Sequence, residues 1–117
     1  MATNPTKDYT TFDEYLTYWG AERPDGTAFE LGDRRTTYGE ADRITRQLST
    51  FLERQGSAKG DRIAWLGKNS DHYFLLLYAC GRIGVVMAPI GWRLAPPEIG
   101  YILTATAAKL IIAEDEF

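Results

Sequence analysis

Apolar residues recur at spacings of three and four between Thr11 and Trp19, which predicts an amphipathic helix. Thr11 and Glu14 would form a capping box, in which the hydroxyl and the carboxylate each accept a hydrogen bond from a free backbone amide at the helix start. We expect this helix to end between Gly20 and Pro24. Its docking face comprises Phe12, Tyr15, Leu16 and Trp19.

A β-hairpin and a second helix are predicted next. Residues 28–38 hold two extended segments around Gly32, which supplies turn conformations that most residues avoid. Thr37 and Glu40 then form a second capping box, and Gly56 offers a C-terminal stop. The apolar face of this helix comprises Ala41, Ile44, Leu48, Phe51 and Leu52.

From Lys59 onward, short apolar segments alternate with helical ones, an order that favours a parallel βαβαβ unit with right-handed crossovers. Asn69-Ser70-Asp71 would cap one helix, and Pro96-Pro97-Glu98 would start the next, because proline's missing amide costs nothing in a first turn. We expect Pro89, which cannot donate a ladder hydrogen bond, to end the middle strand. The predicted strands cover 62–66, 85–88 and 109–113, and the buried face of the last helix comprises Ile99, Ile102, Leu103 and Thr106.

The predicted fold class is therefore α/β, a β-hairpin plus a partial parallel βαβαβ sheet with helices. We expect residues 1–117 to form a single unit. It would consist of a flexible lead (1–10), a helix, hairpin and helix (11–56), and the βαβαβ unit (57–117).

Composition narrows the functional classes. With 44% apolar and 25% charged residues, the 117-residue chain has the balance of an ordinary soluble domain. A net charge of -3 and a pI near 5.1 argue against a nucleic-acid partner. Cys80 cannot form an intrachain disulfide, because it is the single cysteine, and this favours a reducing cytoplasm. The longest uncharged apolar run, Tyr73 to Gly81, is far below the ~20 residues of a transmembrane segment.

The residues alone indicate neither a catalytic nor a metal site. Neither G-x-x-x-x-G-K-[ST] nor G-x-G-x-x-G occurs in the sequence. His72 falls in the first turn of a predicted helix and should be exposed or capping, whereas Cys80 should be a small core residue. Gly81-Arg82-Ile83-Gly84 should end that helix, and Glu114-Asp115-Glu116 should be a solvated tip.

Residues 35–40, 59–64, 69–70 and 81–90 nevertheless form four landmarks, in sequence order, that resemble those of the adenylate-forming enzymes. Residues 35–40 (RTTYGE) are similar to the first core motif, with Ala41 in place of the usual Leu. Residues 81–90 (GRIGVVMAPI) are similar to the second, in which a helix ends at glycine and a strand ends at Pro-Ile or Pro-Leu. Between them, residues 59–64 (KGDRIA) and Asn69-Ser70 lie where the family has its K-G-D-R-V-A strand entry and its N-S helix start.

Residues 92–103 resemble a segment typical of fatty-acyl and aryl CoA ligases, although Gly91 stands where the family commonly has Asn, so a side-chain hydrogen bond is expected to be missing there. The resemblance implies an ATP- and CoA-dependent acyl-CoA ligase, in which residues 1–117 would be a single, truncated N-terminal subdomain, the N-terminal part of the large domain. In such an enzyme a carboxylate attacks the α-phosphate of ATP, pyrophosphate leaves, and the thiol of CoA captures the acyl-adenylate. ATP, Mg²⁺ and CoA are thus the cofactors implied for the intact enzyme, and we expect none to be bound by this chain alone.

In the family, the groups that bind ATP and Mg²⁺ lie in a later Ser/Thr/Gly-rich loop and on a mobile C-terminal domain. No catalytic or metal-binding residue is therefore assigned here, and the chain alone is expected to be catalytically incompetent. Its partners would be the remainder of the large domain, the C-terminal domain and a carboxylic acid substrate. Ile111 and Ile112 would lie on a central strand of the intact enzyme, so in this chain we expect a homodimer or loose packing at that strand.

Arg93 is the one cofactor-binding residue that the resemblance implies, through a contact with the phosphates of CoA in the intact enzyme. A guanidinium is permanently charged and can donate paired hydrogen bonds to phosphate oxygens. Trp92 and Leu94 would pack against the protein and leave Arg93 projecting. The alternative is an exposed Arg93 that pairs with Glu98 or covers the helix start.

Other interpretations remain open at this point. The chain could be a small α/β ligand-binding module, with its ligand beyond the carboxyl ends of the strands. It could be a non-catalytic scaffold that self-associates through an exposed sheet edge. Within the family, it could come from an adenylation domain or a luciferase-like enzyme.

Overall fold

The computed structural model describes residues 12–115. The capping box expected at Thr11, the flexible lead over 1–10 and Glu116 lie outside these residues. The described elements, in chain order, are α1 (Phe12–Glu22), β1 (Thr27–Leu31), β2 (Arg34–Thr37), α2 (Tyr38–Arg54), β3 (Arg62–Leu66), α3 (Asp71–Ile83), β4 (Val86–Ile90), α4 (Pro96–Thr106) and β5 (Leu110–Ala113).

The strands form two sheets, which confirms the predicted fold class. Strands β1 and β2 make an antiparallel hairpin, and the other three make a parallel sheet in the order β4-β3-β5. Gly32 has φ of +57°, the left-handed conformation that a tight turn requires of it. Strand β3 is central in this sheet, whereas β4 and β5 lie at its edges.

Pro89 lies within β4, so the expectation that it ends the strand is wrong. The amide of Val86 bonds to the carbonyl of Asp61, and alternate residues of a parallel strand face the same neighbour. The nitrogen of Pro89 therefore points away from β3, and its missing proton removes no hydrogen bond from the sheet.

The two faces of the sheet pack against different helices. Ile63 and Trp65 of β3 face a core shared with α2 and α3, whereas Ala64 and Leu66 face α4. The predicted apolar face of α4 is confirmed, although its residues are only half-buried and Tyr101 is 75% exposed. Helix α4 thus covers the sheet from one side and leaves its own outer surface to solvent.

Helix α2 meets the rest of the protein through smaller and more polar residues than expected. Phe51, placed on the apolar face by its spacing, is 47% exposed, while Thr45 and Ser49 are buried. The hydroxyl of Ser49 lies 2.8 Å from the carbonyl oxygen of Ala79 in α3. Small side chains let α2 and α3 approach closely, and the buried hydroxyls find carbonyl acceptors. The fully buried apolar residues of α2 are Ala41 and Leu52.

Capping residues fix the helix ends as the sequence predicted. The Thr37 hydroxyl accepts from the Glu40 amide at 3.1 Å, and the Glu40 carboxylate accepts from the Thr37 amide at 2.9 Å. Ser70 is the N-cap of α3, and its hydroxyl accepts from the Tyr73 amide. At the other end of α3, Gly84 adopts φ of +70°, a conformation that favours glycine.

The amino-terminal end of the parallel sheet is closed by backbone hydrogen bonds. The Gly60 amide donates to the Gly84 carbonyl at 2.9 Å, which joins two of the family landmarks directly. Asp61 accepts hydrogen bonds from Lys109 Nζ at 3.0 Å and from the Ala58 amide at 2.8 Å. The Lys109 contact and then the amide hold the pKa of Asp61 below its usual value.

Candidate functional site

Polar and cationic side chains lie in the loops that follow the carboxyl ends of β3 and β4. The ring of Trp92, just beyond β4, is contacted by two cations. The guanidinium carbon of Arg93 lies 4.3 Å from the ring centroid, and Lys68 Nζ, beyond β3, lies 4.9 Å from it. These are cation–π distances, so the tryptophan holds both side chains near one spot on the surface.

The loop that carries Arg93 is fixed by its neighbours. Trp92 and Leu94 pack against a core cluster of Ala64, Leu66 and Ile90, and the Leu94 amide bonds to the Gly91 carbonyl at 3.1 Å. This confirms the expected packing and leaves Arg93 exposed. Gly91 thus closes the turn through its backbone.

The alternative pairing of Arg93 with Glu98 is wrong. The Glu98 carboxylate accepts from the Ala95 amide at 2.9 Å, at the start of α4. Within residues 12–115, the ion pairs do not include an Arg93–Glu98 contact. Arg93 instead stacks on the side chain next to it in sequence.

A cleft of about 280 Å³ lies beside Trp92. Trp65 is one of its lining residues, and the Trp65 indole nitrogen is buried without a hydrogen-bond partner among the described residues. Such a buried donor is uncommon in folded proteins. The other lining residues are Gly67, Asn69, Tyr73, Pro89, Ile90, Gly91 and Trp92.

Glu114 ties β5 to the loop after β3. Its carboxylate accepts from the Lys68 amide at 2.5 Å, and its own amide donates to the Leu66 carbonyl at 3.0 Å. Glu114 is half-buried, so the expectation of a purely solvated tip is wrong at this residue, whereas Asp115 is exposed. The loop after β3 is therefore held in place, because its Lys68 amide bonds to Glu114 and the Glu114 amide bonds to the end of β3.

The structure also places His72 and Cys80, two further residues that the sequence analysis singled out. His72 is exposed in the first turn of α3, as expected. Cys80 is 1% exposed in the core between the sheet, α2 and α3. Burial raises the pKa of the Cys80 thiol to about 12, which keeps it a protonated core residue at neutral pH.

Tyr38, in the first landmark, connects α2 to α1. Its hydroxyl lies 3.2 Å from that of Tyr15, and its ring lies 6.1 Å from the rings of Tyr15 and Trp19. The hydrogen bond with Tyr38, helped by burial, raises the pKa of Tyr15 to about 12. This landmark therefore fixes helix packing.

Arg82, in the second landmark, connects three helices, a role that the sequence analysis missed. Its guanidinium donates to Asp42 Oδ1 at 2.5 Å and to Thr45 Oγ1 at 3.0 Å, both in α2. It also lies 3.4 Å from Thr17 Oγ1 in α1. The side chain of Arg82 is only 10% exposed, so this charge is largely enclosed by its partners. The one sequence feature that could have indicated this role of Arg82 is its position at the end of an otherwise apolar helix.

Two searches of the described part of the chain gave negative results. Among residues 12–115, no three His, Cys, Asp or Glu side chains are placed to hold a metal ion together. None of the described helices is long and apolar enough to cross a membrane.

The sheet order, the hairpin and the four landmarks together define an α/β segment of the adenylate-forming class. The profile of the family described as AMP-binding enzyme matches residues 16–117. The chain belongs to this family.

Individual relatives agree on the type of enzyme. The fatty acid–[acyl-carrier-protein] ligase ScoC of Streptomyces coeruleorubidus is 40% identical over 84 residues, which are 72% of this chain and 16% of ScoC. A feruloyl-CoA synthase of Amycolatopsis sp is 37% identical over 93 residues, 80% of this chain and 19% of the synthase. The chain thus spans less than a fifth of the length of these relatives.

A solved structure gives the same result for the fold. The N-terminal domain of FACL13 from Mycobacterium tuberculosis superimposes with a TM-score of 0.84 at 31% identity. The match covers 90% of this chain and 27% of that domain.

Proposed function

We propose that this chain forms the N-terminal part of the large domain of an ATP- and CoA-dependent acyl-CoA ligase. The observation that carries the proposal is the family match over residues 16–117, combined with relatives that join carboxylic acids to thiols. The complete enzyme would activate a carboxylate as its adenylate and transfer the acyl group to CoA. The remainder of the large domain, the C-terminal domain and the carboxylic acid would be its partners, and a cytoplasmic location would suit the free thiol of Cys80.

Within such an enzyme, this chain's residues would position CoA and leave the ATP chemistry to other segments. Adenylate formation builds charge on phosphate oxygens, which Mg²⁺, cationic side chains and fixed amides must stabilise. Lys68 and Arg93 are cations held on one ring at the end of the sheet, and this suits the phosphates of a cofactor bound at the surface. We assign the CoA phosphate contact to Arg93.

The 117-residue chain alone should neither release pyrophosphate from ATP nor form an acyl-adenylate, because its sequence contains no recognisable phosphate loop. The test incubates the chain with ATP, Mg²⁺, CoA and a panel of fatty and aromatic acids, and measures pyrophosphate. A heat-treated sample is the control. Release above that control would show that the chain carries its own active site.

In a full-length enzyme that contains this segment, Arg93→Ala should weaken CoA binding by about 1.5 to 3 kcal/mol and leave adenylation nearly unchanged, because one charge-assisted hydrogen bond to phosphate is lost. Pyrophosphate release without CoA reports adenylation, and thioester formation over a CoA titration reports the second step. Arg62→Ala is the matched control, since Arg62 is an exposed arginine at the opposite end of the parallel sheet, where it donates to the Thr106 carbonyl at 3.3 Å. Equal losses in both steps, or in both variants, would contradict the CoA assignment.

The 40% identity with ScoC favours a second candidate, in which the acceptor thiol belongs to an acyl carrier protein. The same enzyme should then form a thioester with acyl carrier protein and show no dependence on free CoA. Running both acceptors side by side separates the two candidates.

A further inference from the structure

Three side chains in the loops after β3 and β4, Lys68, Trp92 and Arg93, form what we call the cation platform. Lys68 Nζ lies 4.9 Å from the centroid of the Trp92 ring, and the guanidinium carbon of Arg93 lies 4.3 Å from it. The two charges are therefore at most about 9 Å apart, which is less than the Debye length of about 10 Å at 0.1 M salt. Like charges at this separation repel each other, so an anion beside both is stabilised by both.

The main chain beneath the cation platform is fixed at both loops. The Lys68 amide donates to the Glu114 carboxylate at 2.5 Å. Trp92 packs against an apolar cluster that includes Leu66 and Ile90 at the ends of two strands. The long side chain of Lys68 therefore starts from a held backbone and ends at a held ring. Such preorganisation lowers the entropy that a flexible cation loses when it binds a ligand.

The cation–π contacts of the platform place two charges without occupying their N–H donors, because the ring attracts the charge and accepts no conventional hydrogen bond. Ammonium and guanidinium groups each carry several donors, and phosphate oxygens are strong acceptors for both. Lys68 and Arg93 are both exposed, as a ligand bound at the surface requires. The platform therefore suits an anion with more than one phosphate group.

We propose that Lys68 is a second phosphate-binding residue for CoA, beside Arg93, and that Trp92 is the positioning residue that holds the two cations together. This role rests on the proposed function, because it takes CoA as the ligand. Lys68 and Arg93 would contact different phosphate oxygens of one CoA molecule. The platform should therefore strengthen the binding of CoA and leave the binding of pantetheine, the same thiol without phosphate groups, unchanged.

Removal of the Lys68 charge tests the phosphate contact. In a full-length enzyme that contains this segment, Lys68→Gln should raise the Kd of CoA, measured by calorimetry, about tenfold, and the CoA KM of thioester formation should rise similarly. The Kd of pantetheine, measured the same way, should not change. Lys68→Arg keeps the charge and should retain most of the affinity for CoA. Lys59→Gln is the matched control, because Lys59 is an exposed lysine that precedes β3, at the opposite end of the parallel sheet.

Substitution of the ring tests the positioning role of Trp92. Trp92→Leu keeps an apolar side chain against the cluster but removes the aromatic face, so it should raise the Kd of CoA about fivefold. In the Lys68→Gln background the same change should raise the Kd no more than about twofold, because one of the two cations that the ring holds is already gone. Trp92→Phe retains an aromatic face and should recover most of the affinity. Circular dichroism and thermal melts check that all variants remain folded.

The outcomes are distinct. Unchanged CoA affinity in Lys68→Gln overturns the role of Lys68, and an equal loss of pantetheine affinity overturns it too, because the effect would then be structural; the ligase assignment stands in both cases. Strictly additive effects of Lys68→Gln and Trp92→Leu overturn the positioning role of Trp92. A full-length enzyme that neither binds CoA nor forms a CoA thioester, but uses holo acyl carrier protein, overturns this inference together with the CoA part of the proposed function.

Discussion

Arg82→Met should lower the free energy of unfolding by about 2 to 4 kcal/mol, the largest loss we expect from a polar substitution in this chain. The methionine keeps most of the side-chain volume but removes the hydrogen bonds to Asp42, Thr45 and Thr17. Asp42, whose side chain is 22% exposed, would lose its more enclosed partner. Urea denaturation followed by circular dichroism measures the change.

Arg46→Met provides the matched control. Arg46 also pairs with Asp42, at 3.2 Å, but its side chain is 57% exposed, and solvent-exposed pairs of this kind contribute little. We expect a change within about 0.5 kcal/mol. Equal effects of the two variants would show that enclosure of Arg82 adds nothing, and our account of the α1-α2-α3 junction would be wrong.

Gly67→Ala should destabilise the fold by about 1 to 3 kcal/mol, because the site is already filled. A Cβ atom there would lie 2.6 Å from Cζ2 of the Trp65 ring and 2.6 Å from Oε1 of Glu114. The glutamate can swing away only by giving up its hydrogen bond to the Lys68 amide, and the buried ring has little space to move. Both the unfolding free energy and the fluorescence of Trp65 should change.

Gly100→Ala is the comparison for this substitution. Gly100 lies within α4, and a Cβ atom added there would meet no neighbour within 4 Å, so the new methyl should stabilise the helix by roughly 0.5 to 1 kcal/mol. If Gly67→Ala left the free energy of unfolding unchanged, the carboxyl end of the sheet would be more adaptable than its contacts indicate.

Features encoded by nearby residues could be predicted from the sequence. The capping box of Thr37 and Glu40 and the turn at Gly32 each depend on a few adjacent positions, and the structure confirms both. The parallel unit followed from the alternation of short apolar strands with helices. The order β4-β3-β5 completes that picture with β3 in the centre.

Features that depend on distant partners were missed or wrong. Thr45 and Ser49 can be buried in α2 because they form hydrogen bonds with Arg82 and with the Ala79 carbonyl, respectively. The spacing of apolar residues along a helix does not reveal such distant partners. Pro89 fits inside a strand because of its register against β3. At the candidate site, the stacking of Arg93 on Trp92 was not predicted, because it depends on the conformation of the loop as well as on their adjacency in the sequence.

The two ends of the parallel sheet present different kinds of surface. At the amino-terminal end, the Gly60 amide bonds to the Gly84 carbonyl, and the Asp61 carboxylate accepts from Lys109 and from the Ala58 amide. At the carboxyl-terminal end, side chains such as Trp92 make the surface. Substitution of exposed side chains there, such as Arg93, should therefore change the chemistry of the surface and leave the sheet intact, whereas Gly67 beside them has no room for a side chain.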